Sequence, residues 1–283
     1  MKPAPTYGPK PWLQMSWDAR AAFNFILGGA GTGLAVTAAF FVAPTSGWQA
    51  LLALALVLVA MGLGSVWLEL GRPWRFMNVA FNPRTSWMTR EAYASGVVFA
   101  FGAAAIVTGL PWLAWVAALA AVVFVYCQSR MLRAAKGIPA WRVPSLSAFI
   151  VATGMAEGAG LAVALGPLAL GSVPRWAVAF LLAAVLARLG MWWRYSASLK
   201  GQLAPQAAGA LAAAGTRVVV LGSIVPVFAI VVALALPVAA AMALAIGGLA
   251  ALGAGWHAKF VIVRRAAYNQ GFALPVLPVR GVR

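Results

Sequence analysis

Eight long apolar stretches constrain this chain more than any other feature of its sequence. Of its 283 residues, 64% are hydrophobic and 9% are charged, whereas soluble domains are roughly half apolar and about a quarter charged. A transmembrane helix needs ~20 predominantly apolar residues. We therefore predict an all-α integral membrane protein with eight transmembrane helices, over residues 20–42, 48–70, 91–109, 111–132, 145–165, 174–194, 217–236 and 238–263.

Positive charge is concentrated in alternate connections between the predicted spans. The chain has 21 Lys and Arg residues against 4 Asp and Glu residues, a formal net charge of +17. Short, nearly uncharged turns at 43–47, 110–111, 166–174 and near 237 alternate with basic segments, which are the N-terminal segment, 71–90, 130–144, 194–217 and the C-terminal tail. With eight crossings, every basic segment lies on one side. The positive-inside rule makes that side cytoplasmic, so we expect a bacterial or archaeal cytoplasmic membrane protein with both termini inside the cell.

The predicted spans form a single membrane domain. Residues 1–19 are a cytoplasmic N-terminal segment without the pattern of a cleavable signal, residues 20–263 are the eight-helix bundle and residues 264–283 are a cytoplasmic tail. We expect two four-helix bundles, although no internal repeat is evident. Small residues inside the spans predict close helix packing rather than a nucleotide site. They are the GGAGTG run at 28–33, Gly154, Gly158 and Gly160.

Cysteine and histidine each occur once, as Cys127 and His257. One cysteine cannot form a disulfide within the chain, nor supply the four thiolates of an iron–sulfur cluster. One histidine cannot supply both axial ligands of a bis-histidine haem. We therefore predict that this chain holds no haem, no iron–sulfur cluster and no metal ion of its own.

Several polar residues fall at a similar depth near the predicted basic face. Because a helix rises ~1.5 Å per residue, their positions place them close to that end of their spans. They are Asn24, Glu69, Glu91, Tyr126 and His257. Polar groups in lipid are costly and often functional. We predict a site here, covered by the loop 71–90 with Arg72 and Trp74.

Each of these residues also has a structural alternative. Glu69 and Glu91 are alternatively interfacial residues paired with Arg72 and Arg90. The aromatic residues and the histidine alternatively serve helix packing or the aromatic belt at the membrane interface. Their shared depth favours a common site.

Glu157 differs because it lies near the middle of the predicted fifth span, where a bare carboxylate is expensive. Arg188, in the predicted sixth span, is the cation expected to reach it. Two interpretations stay open. The pair is either a buried structural ion pair or part of a proton-conducting element in which Glu157 is protonated.

The loop between the second and third predicted spans carries a recognisable pattern. It reads LGRPWRF at 70–76 and FNPRTSWMTRE at 81–91. It resembles the LGRPxR…NPRSWMSRE signature of the NrfD/PsrC-like superfamily, and within it the dimethyl sulfoxide reductase anchor subunits. The tail, RAAYNQGFALP at 265–275 and PVRG at 278–281, resembles anchors of the same type.

This resemblance implies a haem-free subunit that passes electrons between the membrane quinone pool and a four-cluster, ferredoxin-like iron–sulfur subunit. That subunit in turn serves a molybdenum or tungsten bis-pterin catalytic subunit. The bound substrate is then ubiquinone or menaquinone. The resemblance associates Glu91 with the quinol site, places Glu69 where some relatives carry His, and likens Asn24 and Tyr126 to quinone contacts. Leu27 stands where those relatives have a histidine, so His257 is a candidate replacement.

The branch that this chain most resembles is the anchor of phenylacetyl-CoA:acceptor oxidoreductase-type complexes. The N-terminal segments YGPKPW at 7–12 and SWDARAAFNF at 16–25 look like that branch. Quinone reduction is then the expected direction. The alternatives are the anchor of a cytoplasmic sulfite-oxidising or a sulfoxide- or polysulfide-reducing complex, a secondary transporter suggested only by Glu157, and a purely structural anchor.

Overall fold

The structure, a computed structural model, describes residues 8, 10–41 and 47–271, with Pro73 described in its backbone only. Eight of its helices are long and apolar enough to cross a membrane. The prediction of an all-α, multi-pass membrane protein is therefore confirmed. The predicted end of the first span at Val42, most of the turn 43–47, Lys2, and the tail beyond Gly271 lie outside the described residues.

Ten α-helices make up the described chain. They are α1 Ala19–Phe40, α2 Trp48–Trp67, α3 Trp87–Thr108, α4 Pro111–Ala134, α5 Pro139–Arg142, α6 Ser145–Leu170, α7 Arg175–Ser198, α8 Pro205–Val219, α9 Val225–Ala235 and α10 Ala240–Phe260. Short 3-10 helices cover Pro73–Phe81 and Pro237–Ala239. A π-helical segment at Val220–Ile224 joins α8 to α9 into one span, and another at Val261–Arg265 extends α10.

The seventh span differs most from its predicted bounds. It begins at Pro205 instead of residue 217, so the basic connection predicted at 194–217 shrinks to residues 199–204. Pro205 occupies the first helical turn, where a missing N–H costs least. Arg217 marks the expected edge of the apolar region, but a helix need not end where its apolar stretch ends.

Ser86 explains why α3 begins one turn before the predicted third span. Its hydroxyl accepts a hydrogen bond from the backbone N–H of Thr89 at 3.2 Å, which caps the helix N-terminus. The fifth predicted span is also longer than expected, because α6 continues past Pro167 to Leu170. The shifts in the third and fifth spans are four and five residues long, and with the larger shift in the seventh span they leave the number of spans unchanged.

The spans pack as two groups that share a wide contact. In the first group α1 packs on α2 and α4, and α3 packs on α4. In the second group α6 packs on α7 and α10, and α9 packs on α10. The two groups meet where α1 packs along α6.

Glycines allow this central contact, as their positions predicted. A Cβ atom on Gly158 would overlap the backbone of Gly33 and Leu34, and one on Gly33 would overlap the backbone of Gly154. Gly160 of α6 and Gly248 of α10 approach each other in the same way. Small residues are what permit helix backbones to come this close in lipid.

Gly158→Ala is expected to lower stability by about 1–3 kcal/mol, the usual cost of overpacking a close-packed site. Gly190→Ala on α7 is the matched control, because a Cβ atom there meets nothing within 4 Å. Alanine is the better helix former by about 1 kcal/mol, so the control should be neutral or slightly stabilising. Thermal unfolding in detergent measures both, and equal melting temperatures for the two variants would contradict this packing.

The two ends of the described chain lie against each other. Leu13 and Tyr268 form an isolated antiparallel β-bridge. The backbone N–H of Gln14 donates to the Ala267 carbonyl at 3.0 Å, and that of Asn269 donates to the Trp12 carbonyl at 3.0 Å. Both ends therefore share one side of the bundle, as an even number of spans requires. We call this side, with residues 68–86, 135–144 and 199–204, the basic end.

Candidate functional site

The loop 71–90, which carries the recognisable pattern, is hydrogen-bonded to the start of α3. The side chain of Thr89 donates to the carbonyl of Val79, and the Tyr93 hydroxyl donates to the carbonyl of Ala80 at 2.6 Å. Both acceptors belong to the 3-10 helix Pro73–Phe81. The loop is therefore held by side chains of the helix that follows it.

Arg90 holds the second part of this loop through hydrogen bonds to its backbone. Its guanidinium donates to the carbonyl oxygens of Pro83, at 2.8 Å, and Arg84, at 2.7 Å. It does not pair with Glu91, so the alternative that assigned the two residues to one interfacial ion pair is wrong. Consecutive residues on a helix point in different directions, and here Arg90 faces the loop while Glu91 faces the bundle.

Glu91 lies in a buried polar group formed by three helices. The side-chain amide of Asn24 on α1 donates to Glu91 Oε1 at 3.2 Å, and the side-chain amide of Gln128 on α4 donates to the backbone carbonyl of Asn24 at 2.9 Å. Glu91 is 3% exposed, Asn24 4% and Gln128 0%. We call these three residues the Glu91 cluster. No cation forms an ion pair with Glu91 in the described chain.

The Glu91 cluster rests on an apolar layer toward the middle of the membrane. Val59, Ala94 and Phe124 form a small buried group there, with Leu63 and Phe99 packed against it. Ala94 is almost one turn beyond Glu91 on α3, and Phe124 is one turn from Gln128 on α4. A polar group over an apolar layer suits a substrate with a polar head and an apolar body.

Tyr126 lies outside the Glu91 cluster. Its ring contacts Trp87 edge-on at 6.0 Å between centroids, and its hydroxyl accepts a hydrogen bond from Arg130 at 2.7 Å. Its side chain is 40% exposed. Gln128, two residues further along α4, points into the bundle, so the two polar residues of this helix face different surroundings.

Arg72 and Trp74 project from the loop, and Trp74 is 81% exposed. Glu69 lies just after α2 and is half-buried. Burial raises the pKa of Glu69, and nearby Asp18 raises it further, while Arg20 lowers it. These three residues share the basic end with the Glu91 cluster, but no described hydrogen bond or ion pair joins their side chains to it.

His257 is on α10 and faces α8. Arg217 lies within hydrogen-bond distance of its ring, at 2.6 Å from Nε2. In the described chain no hydrogen bond joins it to Asn24 or Glu91. The interpretation that His257 stands in for the histidine absent at Leu27 therefore gains no geometric support.

Glu157 is paired in the structure with Lys259 instead of Arg188. The Lys259 ammonium lies 2.6 Å from Glu157 Oε2, and both side chains are fully buried. Helical side chains tilt toward the helix N-terminus. Since α6 starts at the basic end and α10 at the opposite end, the two side chains lean toward each other across the contact.

The guanidinium of Arg188 forms hydrogen bonds with backbone carbonyls. Its guanidinium donates to the carbonyl of Ala251 on α10 at 2.6 Å and to the carbonyl of Gly222 in the π-helical segment. The predicted Arg188–Glu157 ion pair is therefore wrong at the level of direct contact. Both remain fully buried polar residues of the second group of helices.

Glycines make room for the Glu157–Lys259 pair. A Cβ atom on Gly29 would overlap Lys259 Nζ, and one on Gly255 would overlap the Glu157 carboxyl group. Glu157 Oε1 has no hydrogen-bond partner in the described chain. The pair thus fills a tight space between α1, α6 and α10.

Two residues of these sites were not expected from the sequence. Gln128 is two residues from Tyr126, and Lys259 is two residues from His257. The signal for each was present, because both are polar residues inside predicted spans. Tyr126 and His257 were predicted in their place. Residues two apart on a helix point to different faces.

No protein-family model and no curated protein matches this chain. The resemblance of the segments 70–91 and 265–281 to a known family therefore rests on their residues alone.

Proposed function

We propose that this chain is the haem-free membrane anchor and quinone-reactive subunit of a molybdenum or tungsten bis-pterin oxidoreductase complex. The observation that carries the proposal is the Glu91 cluster, a buried carboxyl group held by an amide side chain near one membrane face, with no ion pair to a cation among the described residues. Glu91 is also the last residue of the loop pattern that resembles quinone-reactive anchors. Geometry and sequence thus single out the same side chain.

The chemistry of a quinone suits the Glu91 cluster. Reduction of a quinone to a quinol consumes two electrons and two protons. A protonated Glu91 donates a hydrogen bond, and then a proton, to a quinone carbonyl oxygen. A carboxyl group delivers one proton each time it is protonated, so Glu91 must be reprotonated during a turnover if it delivers both.

Unused hydrogen-bonding capacity supports a polar substrate beside Glu91. Asn24 Oδ1 and Gln128 Oε1 are both buried without a hydrogen-bond partner in the described chain. Leaving such acceptors unpaired costs about 1–3 kcal/mol each. The hydroxyl groups of a quinol are donors that suit such acceptors, while the apolar layer beneath suits the ring.

The basic end is the side on which we propose that the partners bind. A four-cluster iron–sulfur subunit docks there and passes electrons to the quinone, and a pterin-containing catalytic subunit binds that subunit. The positive-inside rule makes this end cytoplasmic. Phenylacetyl-CoA oxidation with quinone reduction is the proposed reaction, and a cytoplasmic sulfite-oxidising or a sulfoxide- or polysulfide-reducing complex is the alternative.

Purification from native membranes tests this proposal. A tagged chain in mild detergent should retain two further subunits, with iron and molybdenum or tungsten in the complex and quinone in its lipid extract. Added quinone should reoxidise the reduced clusters, and a quinone-site inhibitor should block that step. Mass spectrometry of the catalytic subunit identifies which complex the chain anchors.

Two other results would decide against the proposal. A chain that purifies without an iron–sulfur subunit and contains no quinone would favour a transporter. A complex whose clusters do not react with quinone would favour a purely structural anchor.

A further inference from the structure

A basic pocket opens at the basic end, on the outer side of α3 and α4. Its volume is about 640 Å³, and its lining includes Trp87, Arg130, Arg133, Lys136 and Arg142. The pocket lies between the first turn of α3, the end of α4 and the short helix α5. Four cationic side chains therefore converge on one concave surface.

No acidic side chain lines this pocket. The protein's four acidic residues are elsewhere; they are Asp18, Glu69, Glu91 and Glu157. Asp18 and Glu157 are occupied by other cations in the two ion pairs of the described chain. Arg133 Nε is buried and has no hydrogen-bond partner in the described chain. Such a pocket favours an anion with several acceptor oxygens.

Two of the cations are already held in position. The Arg130 guanidinium donates to the Tyr126 hydroxyl at 2.7 Å and lies 4.2 Å from the centre of the Trp87 ring. Arg142 donates to Gln202 Oε1 at 3.2 Å. Held side chains lose less conformational entropy when a ligand binds, which favours binding.

An exposed apolar stripe on α4 leads up to the pocket. Leu119 is 67% exposed, Val123 52% and Tyr126 40%, and Arg130 and Arg133 continue the same helix face at intervals of three and four residues. Exposed apolar side chains in the middle of a membrane span face lipid acyl chains. A ligand with an anionic head and acyl chains fits both the pocket and the stripe.

We propose that this pocket binds the phosphate headgroup of an anionic phospholipid, whose acyl chains lie along α4. Basic pockets between transmembrane helices on the cytoplasmic side are suited to such headgroups. The stripe argues for a lipid over a soluble phosphate compound or an acidic protein segment. This site is separate from the Glu91 cluster, and the proposal does not depend on the proposed quinone chemistry.

Lipid binding to the purified full-length chain, with any subunits it retains, tests the proposal. The probes are diphosphatidylglycerol and phosphatidylcholine, added in detergent and followed by native mass spectrometry. The triple variant Arg133→Gln/Lys136→Gln/Arg142→Gln should bind diphosphatidylglycerol about 100-fold more weakly, since each basic residue near an anionic lipid contributes about a factor of five. Phosphatidylcholine should bind weakly to both proteins.

The matched control removes the same number of charges from the basic end outside the pocket. Arg75→Gln/Arg84→Gln/Arg194→Gln changes three exposed residues and should bind diphosphatidylglycerol nearly as well as the unmodified chain. A second measurement guards against misfolding: diphosphatidylglycerol should raise the melting temperature of the control variant and leave that of the pocket variant unchanged.

Three results would overturn the proposal. Equal loss of lipid in the two triple variants would indicate diffuse attraction to the basic end. If 10 mM inorganic phosphate raised the melting temperature of the unmodified chain as much as diphosphatidylglycerol does, the pocket would be a site for free phosphate. Unchanged lipid binding in the pocket variant, with release of a co-purifying subunit, would indicate a protein-docking surface.

Discussion

Glu91→Gln is expected to abolish quinone-linked turnover while the complex still assembles. Glutamine preserves the size of the side chain and its ability to accept the hydrogen bond from Asn24, which is 3.2 Å long in the structure. It cannot release or accept the proton that quinone reduction requires. General acid–base groups contribute about 10²–10⁴-fold to rates, so turnover should fall by at least about 100-fold.

Two comparisons separate chemistry from folding in this experiment. Ser95→Ala changes a buried residue one turn further along α3, whose hydroxyl donates to the backbone carbonyl of Ala92 on its own helix, and it should keep most of the activity. Electron transfer from the catalytic subunit to the iron–sulfur clusters should stay normal in Glu91→Gln. Near-normal quinone reduction by Glu91→Gln would remove Glu91 from the mechanism.

Lys259→Met is expected to lower the free energy of unfolding more than Gly158→Ala does. Lys259 and Glu157 are both fully buried and lie 2.6 Å apart. Methionine fills a similar volume but leaves the carboxylate without its partner in a medium that stabilises charge poorly. Breaking a buried ion pair from one side typically costs about 3–5 kcal/mol. Reversible unfolding of the protein in mixed micelles should show a loss of this size.

The double variant Glu157→Gln/Lys259→Met distinguishes the ion pair from simple packing. With both charges removed, most of the lost stability should return, because replacing a whole buried pair by uncharged groups is often neutral. Arg188→Met measures separately how much the other buried cation near Glu157 contributes to stability. The guanidinium of Arg188 bonds to backbone carbonyls. If Lys259→Met were as stable as the unmodified chain, the pair would contribute nothing to the fold.

A proton-conducting role for Glu157 and Arg188 stays a prediction. The Glu157–Lys259 contact is compatible with this role, since a buried pair can exchange a proton. Oxidation of substrate by the complex in sealed vesicles, with and without Glu157→Gln, would show whether proton uptake across the membrane depends on this residue. The stability of the variant has to be established first.

The sequence by itself determined the position of nearly every candidate site residue along its span. Eight apolar stretches set the number of spans, and the alternation of charged and uncharged connections assigned the basic connections to one end. The rise per residue then placed Asn24 and Glu91 at one level, and the structure brings those two into contact. Glycines in the first and fifth spans predicted the close packing of α1 on α6.

Only the tertiary structure decided which side chains meet. Depth follows from position along a helix, whereas the direction of a side chain follows from how the helix is turned about its own axis against its neighbours. Residues two apart, such as Lys259 and His257 or Gln128 and Tyr126, share a depth but face different helices. For that reason Lys259 reaches Glu157 and Gln128 joins the Glu91 cluster, while His257 meets Arg217 and Tyr126 meets Arg130.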